Sequence, residues 1–155
     1  MKRLILLLSL AAASGAAAAE VPTATNLAEL GRQAGRQGKP LVVFFYQDEC
    51  HYCETVRTQY LEPMTHNADY TGRIILRKID TRGDRIMTDF SGEKLSQQRF
   101  AHRQKKTFTP TIAFYGPDGE QLVKPLVGLK GGRDYYGHYL DKDIRAAETA
   151  LQELQ

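Results

Sequence analysis

Cysteine is scarce in this sequence: 155 residues carry two, Cys50 and Cys53, three positions apart. That excludes a multi-disulfide scaffold and a four-cysteine zinc site built within one chain. Net charge is also small. Residues 1–19 contain 14 apolar residues and two charges, Lys2 and Arg3. The remaining 136 residues hold 19 Lys and Arg against 18 Asp and Glu, and about 37% of them are apolar, an ordinary figure for a soluble globular domain. Near-neutrality removes the main argument for nucleic-acid binding, which needs a concentrated basic surface. Past residue 19 no run is long and apolar enough to cross a membrane, and there is neither an internal repeat nor a low-complexity segment. One domain is expected, with a single core that buries about two thirds of the unfolded surface.

The first 19 residues read as an address label. Lys2 and Arg3 make a basic start, Leu4 to Ala13 is an apolar run interrupted only by Ser9, and Ala17-Ala18-Ala19 precede Glu20. This is the order of a secretory signal peptide, with cleavage expected after Ala19. A membrane anchor is the alternative, but ten strongly apolar residues reach only about 15 Å as a helix. The expectation is a signal peptide over 1–19, a domain over 20–155, and a soluble, monomeric mature protein in the bacterial periplasm.

Along the rest of the chain, Val21 to Thr25 reads as a flexible lead-in. Asn26 and Glu29 make a capping box for a helix with Leu27, Leu30 and Ala34 on one face, ended by Gly38 and Pro40. Leu41 to Tyr46 is a continuous apolar run expected as a strand buried on both faces. A helix is predicted from near Cys50 to about Leu61, with Pro63 stopping or bending it. Ile74 to Asp80 is a second strand. Thr81 to Gly92 is turn-rich, with a short extended piece at Arg85–Met87, and Ser96 caps a helix to about Gln104. Thr111 to Tyr115 is a third strand, and the turn Gly116–Gly119 returns Gln121–Val123 as a hairpin. Tyr136, Leu140, Ile144, Ala147, Leu151 and Leu154 form the stripe of a last helix. Alternating strands and helices imply an α/β fold with a mixed four- to five-stranded sheet sandwiched between helices.

The chemistry concentrates at Cys50-His51-Tyr52-Cys53, which follows a buried strand and opens a helix. A free cysteine of pKa about 8.5 is only about 3% thiolate at pH 7, and the thiolate is the nucleophile. Helix N-terminal N–H groups and a charged His51 favour the anion, and a pKa near 7 needs about 2 kcal/mol from them. Asp48 and Glu49 act in the opposite sense. The first cysteine of such a helix is exposed at its tip and the second is turned inward, so Cys50 exchanges with the substrate and Cys53 resolves the mixed disulfide. His51 and Tyr52 are candidates for tuning the potential. A structural disulfide, which would stabilise little across so small a loop, and half of an interchain zinc site with His51 are the competing readings. Covalent haem is set aside because Glu54 stands where a histidine is needed.

The motif after strand 41–46, together with Thr109-Pro110-Thr111 before strand 111–115, resembles the thioredoxin superfamily over most of residues 26–150. The resemblance implies a thioredoxin-like fold and a redox-active Cys50–Cys53 disulfide with no metal and no further cofactor. It also implies a cis bond before Pro110, with Pro110 lying against the disulfide and keeping metals off the thiols, and a Thr109 backbone that pairs with the substrate chain. Gly83-Asp84-Arg85, Thr88 to Ser96 and Phe108 to Thr111 resemble the SoxW-type periplasmic thioredoxins. That implies a thiol reductase acting on exported partner proteins, with a membrane thiol transporter as electron donor. The pattern departs from ordinary thioredoxins in having Glu49 in place of tryptophan, His51-Tyr52 in place of Gly-Pro, and Phe44 where a buried aspartate is usual. The proton acceptor for Cys53 is therefore left among Asp48, Glu54 and water.

Histidine between the cysteines stabilises the reduced form and points towards a disulfide-forming oxidase, whereas the SoxW resemblance points towards a reductase; an isomerase stands below both for want of a dimerisation domain. A non-catalytic binding or chaperone module is the reading from another class. For it, the basic stretch Arg99, His102, Arg103, Lys105 and Lys106 is either a solvated helix face or a surface that steers an acidic partner.

Overall fold

The computed structural model describes residues 20–154; the proposed signal peptide lies outside them. The fold grows from two apolar strands. β1 (Leu41–Tyr46) and β2 (Ile75–Asp80) pair in parallel, with Phe44 opposite Lys78. β5 (Thr111–Tyr115) runs antiparallel on the other side of β1, and a two-residue β6 (Leu126–Val127) closes that edge, giving the order β2-β1-β5-β6. β1 is buried on both faces, as its unbroken apolar run requires.

Each face of the sheet has its own core. On one face Val42, Phe44, Ile112 and Phe114 meet α2 (His51–Val56) and the long α6 (Gly132–Glu153), whose Tyr136, Leu140, Ile144, Ala147 and Leu151 are buried. On the other, Leu41, Val43, Phe45 and Ile79 meet α1 (Leu27–Gln37) and α5 (Gln97–Arg103). The thioredoxin-like α/β expectation, a mixed sheet between helices, holds with four strands. No helix among the described residues is long and apolar enough to cross a membrane.

Both capping assignments hold: Asn26 Oδ1 accepts from the Glu29 N–H, and the Ser96 hydroxyl from the Arg99 N–H. α1 packs closely on the turn after β5. A Cβ at Gly31 would sit 2.1 Å from the Pro117 carbonyl oxygen, so only glycine permits that approach.

Four expectations need correction, and one strand was not foreseen. Residues 21–25 are not a loose lead-in: Val21 and Ala24 are fully buried, and the backbone of Pro22 and Ala24 hydrogen-bonds Lys78 on the outer edge of β2. Pro63 does not stop the helix. A π-helical turn at Arg57–Leu61 shifts the hydrogen-bond register, and α3 (Glu62–His66) continues with Pro63 in its first turn, where a missing N–H costs least. A four-residue α4 (Ala68–Thr71) follows. The extended piece near Ile86 is β3 (Ile86–Thr88), paired with an unforeseen β4 (Lys94–Ser96). The strand returning after the turn touches β5 at Gln121 and then bulges. Four residues lie between Gln121 and Leu126, against two on β5 between Ile112 and Tyr115, and Pro125, which has no N–H to donate, lies in the excursion. Leu154, placed on the α6 stripe, is exposed.

Candidate active site

β1 delivers the chain to the helix that carries both sulfurs. Thr81 N–H and its hydroxyl bind the Tyr46 carbonyl, anchoring the strand end before the turn. Cys50 is the N-cap of α2, and its Sγ accepts the Cys53 N–H at 3.2 Å. The two cysteines form a disulfide with their Cα atoms 5.1 Å apart. Cys50 is half-buried, and Cys53 is only 2% exposed, packed among Val56, Phe44 and Phe114. This is the inequality foreseen for an outer and an inner sulfur.

A second loop reaches the outer sulfur from 59 residues away in sequence. The Thr109–Pro110 peptide is cis. The Thr109 hydroxyl lies 3.7 Å from Cys50 Sγ, and Pro110 is buried. Two hydrogen bonds hold that loop, from the Thr111 hydroxyl to the Phe108 carbonyl at 2.7 Å and from the Gly128 N–H to the Pro110 carbonyl at 2.8 Å. β6, short as it is, therefore supports the loop that touches Cys50. His51 is exposed, as is Tyr52 (58%), and their rings meet at a tilt with centroids 5.8 Å apart. Phe108 (66%) and Val127 (47%) are also exposed, on the loop and strand beside the sulfur. Cys50, Cys53, Thr109 and Pro110 are thus brought into one site, with His51 and Tyr52 on its solvent side.

Behind the disulfide lies a polar cleft of about 330 Å³ that reaches Cys53. Lys78 is buried there, its ammonium bound to Glu20 and 5.4 Å from the centre of the Tyr46 ring. The Lys78 ammonium, through its hydrogen bond and its charge, holds the Glu20 carboxyl below the ordinary carboxylate range. Burial, with the negative charges of Asp48, Asp80 and Glu20, pushes the Tyr46 phenol upward. Asp48 and Glu54 line the cleft as well, and Glu54 is held by a two-pronged ion pair to Arg57.

Lys78 and Glu20 were missed from the sequence as site residues. A usable signal existed in Lys78, because a lysine in a strand otherwise buried needs a partner. Glu20 offered none, since only the path of residues 20–24 along β2 brings it to Lys78. The basic stretch on and after α5 is partly structural: Arg103 pairs with Asp89 and Glu93, and Lys106 bonds Gln121. Among the described residues no group of three or more His, Cys, Asp and Glu is arranged to hold a metal ion.

A family model described as a thioredoxin-like domain matches residues 28–141. Among solved structures, a DsbH oxidoreductase aligns over 92% of this chain and 95% of its own, with a TM-score of 0.58 at 18% identity. Thioredoxin f from spinach chloroplast aligns over 84% and 96% respectively, at 0.53 and 19%. Thioredoxin from Fasciola hepatica aligns over 81% and 97%, at 0.52 and 17%. No curated protein sequence matches. Such identities carry the fold alone, and the Cys50–Cys53 pair within that fold is consistent with thiol–disulfide oxidoreductase chemistry.

Proposed function

The chain belongs to the thioredoxin-like domain family, and within it we propose an exported thiol–disulfide oxidoreductase that reduces disulfides of partner proteins in the periplasm. The observation that carries this reading is the inequality of the sulfurs. Cys50 is half-open to solvent beside the Thr109 hydroxyl, and Cys53 is buried behind it.

In the reduced enzyme the Cys50 thiolate attacks one sulfur of a substrate disulfide. The substrate S–S bond breaks, a mixed disulfide forms on Cys50, and the departing substrate thiolate takes a proton from water. Cys53 then loses its proton and attacks Cys50 Sγ. The mixed disulfide breaks, the second substrate thiolate leaves and is protonated, and Cys50–Cys53 is the oxidised product. Two electrons have passed to the substrate. Another dithiol, a membrane thiol transporter in this reading, restores the pair by the same exchange in reverse. Thr109 offers its backbone to the substrate chain, Pro110 lines the disulfide, and the exposed Phe108, Tyr52 and Val127 favour apolar residues near the substrate cysteine. The short motifs at residues 83–96 and 108–111 support a SoxW-type reductase.

The opposite direction has one specific observation in its favour, the imidazole of His51 between the two cysteines. In that second reading the protein oxidises exported dithiols.

Cys50→Ser is expected to abolish reduction of insulin by a chemical dithiol, and Cys53→Ala to accumulate mixed disulfides on Cys50 in periplasmic extracts. Insulin reduction at the unmodified rate by Cys50→Ser would overturn the mechanism. Partner capture that persists without either cysteine would favour a binding module.

A further inference from the structure

The cleft behind the disulfide bears on a difficulty that the exchange reaction creates. Cys53 must become a thiolate to resolve the mixed disulfide. It is buried, and burial disfavours a thiolate. A positive charge on its own side of the sheet would offset this. In parallel register, Lys78 lies beside Phe44 and projects on the same face, the face whose core contains both Phe44 and Cys53. Lys78 and Cys53 line the same cleft.

The cleft contains two cations, and they are held differently. Arg57 is gripped by both oxygens of Glu54 and by Glu62. Lys78 has a single carboxylate, Glu20, whose side chain is 67% exposed. An exposed carboxylate is resolvated at little cost when its ion pair opens. The other charged or titratable groups on this side are Tyr46 at the end of β1 and Asp48 after it, Asp80 at the end of β2 with Asp84 and Arg85 beyond it, and, on cleavage after Ala19, the α-amino group of Glu20 itself.

We propose that Lys78 is the counter-charge that lets buried Cys53 ionise, and that Glu20 competes with the thiolate for it. In the oxidised state Glu20 holds the ammonium. When Cys53 carries a thiol, its proton passes to cleft water, and the thiolate draws on Lys78 while Glu20 turns to solvent. Attack on Cys50 Sγ consumes the thiolate, the substrate thiolate leaves, and Glu20 recovers its partner. Lys78 and Glu20 are positioning residues for the resolving step. The assignment rests on the exchange reaction proposed above, and it explains how resolution proceeds with Phe44 where an aspartate is usual.

The test uses a Cys50→Ser protein, in which Cys53 is the sole thiol, titrated by thiolate absorbance at 240 nm. Lys78→Gln is expected to raise the Cys53 pKa by about one unit, the lower end of what an adjacent opposite charge contributes. Glu20→Gln is expected to lower it, because the ammonium is then free for the thiolate. Lys78→Arg should leave it near the starting value. A purely structural ion pair would move both glutamine variants in the same direction or neither, and that result would overturn the assignment. Should Lys78→Gln fail to fold, the exposed Glu20→Gln change still decides by the sign of its shift. Insulin reduction by the two-cysteine protein separates the two readings: activity without the opposed shifts sinks only the role of the pair, and opposed shifts without activity sink only the proposed function.

Discussion

His51 is exposed while the sulfur it neighbours is half-buried, and this bounds what its charge can do. A cation at an exposed position acts through solvent and contributes less than about 1 kcal/mol. His51→Ala is therefore expected to make the potential more negative by no more than about 20 mV, given that 30 mV corresponds to about 1.4 kcal/mol for this two-electron couple. Equilibration against glutathione at pH 7 measures it. A rise, or a fall several times larger, would show that the imidazole does not act on the reduced sulfur as a solvent-screened charge. The cysteines were legible in the sequence because chemistry of this kind needs few residues in a recognisable local order, strand, turn, then helix. Thr109 and Pro110 were legible only through resemblance, for nothing local to them refers to a sulfur 59 positions away. Lys78 carried a signal of its own, but its meeting with Glu20 was not legible, because it depends on the register of β2 and on a short N-terminal path, both consequences of tertiary packing.

At the scale of elements, the hairpin β3–β4 is the least sequence-evident piece of the fold: it buries one apolar pair, Met87 and Leu95, and its loop is held by polar contacts. Asp89 is buried, and one of its carboxylate oxygens accepts from the Ser91 N–H, the Ser91 hydroxyl and the Glu93 N–H. Arg103, on α5, reaches the other oxygen at 2.9 Å. Burial opposes ionisation of Asp89, but the bonds from Ser91 and Glu93 and the Arg103 charge outweigh it and bring its carboxyl below the ordinary range. A carboxyl depressed in the folded state stabilises the fold above its unfolded pKa of about 3.9. That contribution is lost as pH falls from there through the lower folded value. Asp89→Asn is expected to cost about 2 kcal/mol at pH 7, the scale of hydrogen bonds to a charged group, and to narrow its deficit below pH 4. Urea melts at pH 7 and pH 3 check this, and an equal deficit at both would remove the charge from the explanation. The hairpin escaped sequence reading for a related reason: three-residue strands with one buried apolar residue each, Met87 and Leu95, carry almost no periodicity, and the loop between them is ordered by side-chain bonds to Asp89. The long runs, Leu41–Tyr46 and Thr111–Tyr115, were read to the residue because burial on both faces leaves no polar interruption. The bulge before Leu126 was not, since hairpin turn chemistry at Gly116–Gly119 specifies the turn and says nothing of register five residues later.

For the whole molecule, the direction of electron flow is a statement about stability. Folding and reduction form a closed cycle, with the unfolded Cys50-x-x-Cys53 segment as common reference. The oxidised and reduced proteins differ in unfolding free energy by the amount by which folding favours or disfavours the disulfide. A reductase needs a fold that favours its own disulfide, so that substrates receive the electrons; an oxidase needs the reverse. Two features of this structure oppose each other. Burial of Cys53 penalises an ionised reduced form, whereas His51 and the Lys78 ammonium reward it. Cys53 is buried, His51 is screened by solvent, and Lys78 is shared with Glu20, so the reductase proposed above requires that the balance lie with the disulfide. The oxidised protein is accordingly expected to unfold at a higher urea concentration than the dithiol form at pH 7, by about 1–2 kcal/mol, or some 20–40 mV towards the reducing side of the unfolded reference. A dithiol form more stable than the disulfide at pH 7 would reverse the assignment and make the protein a donor of disulfides.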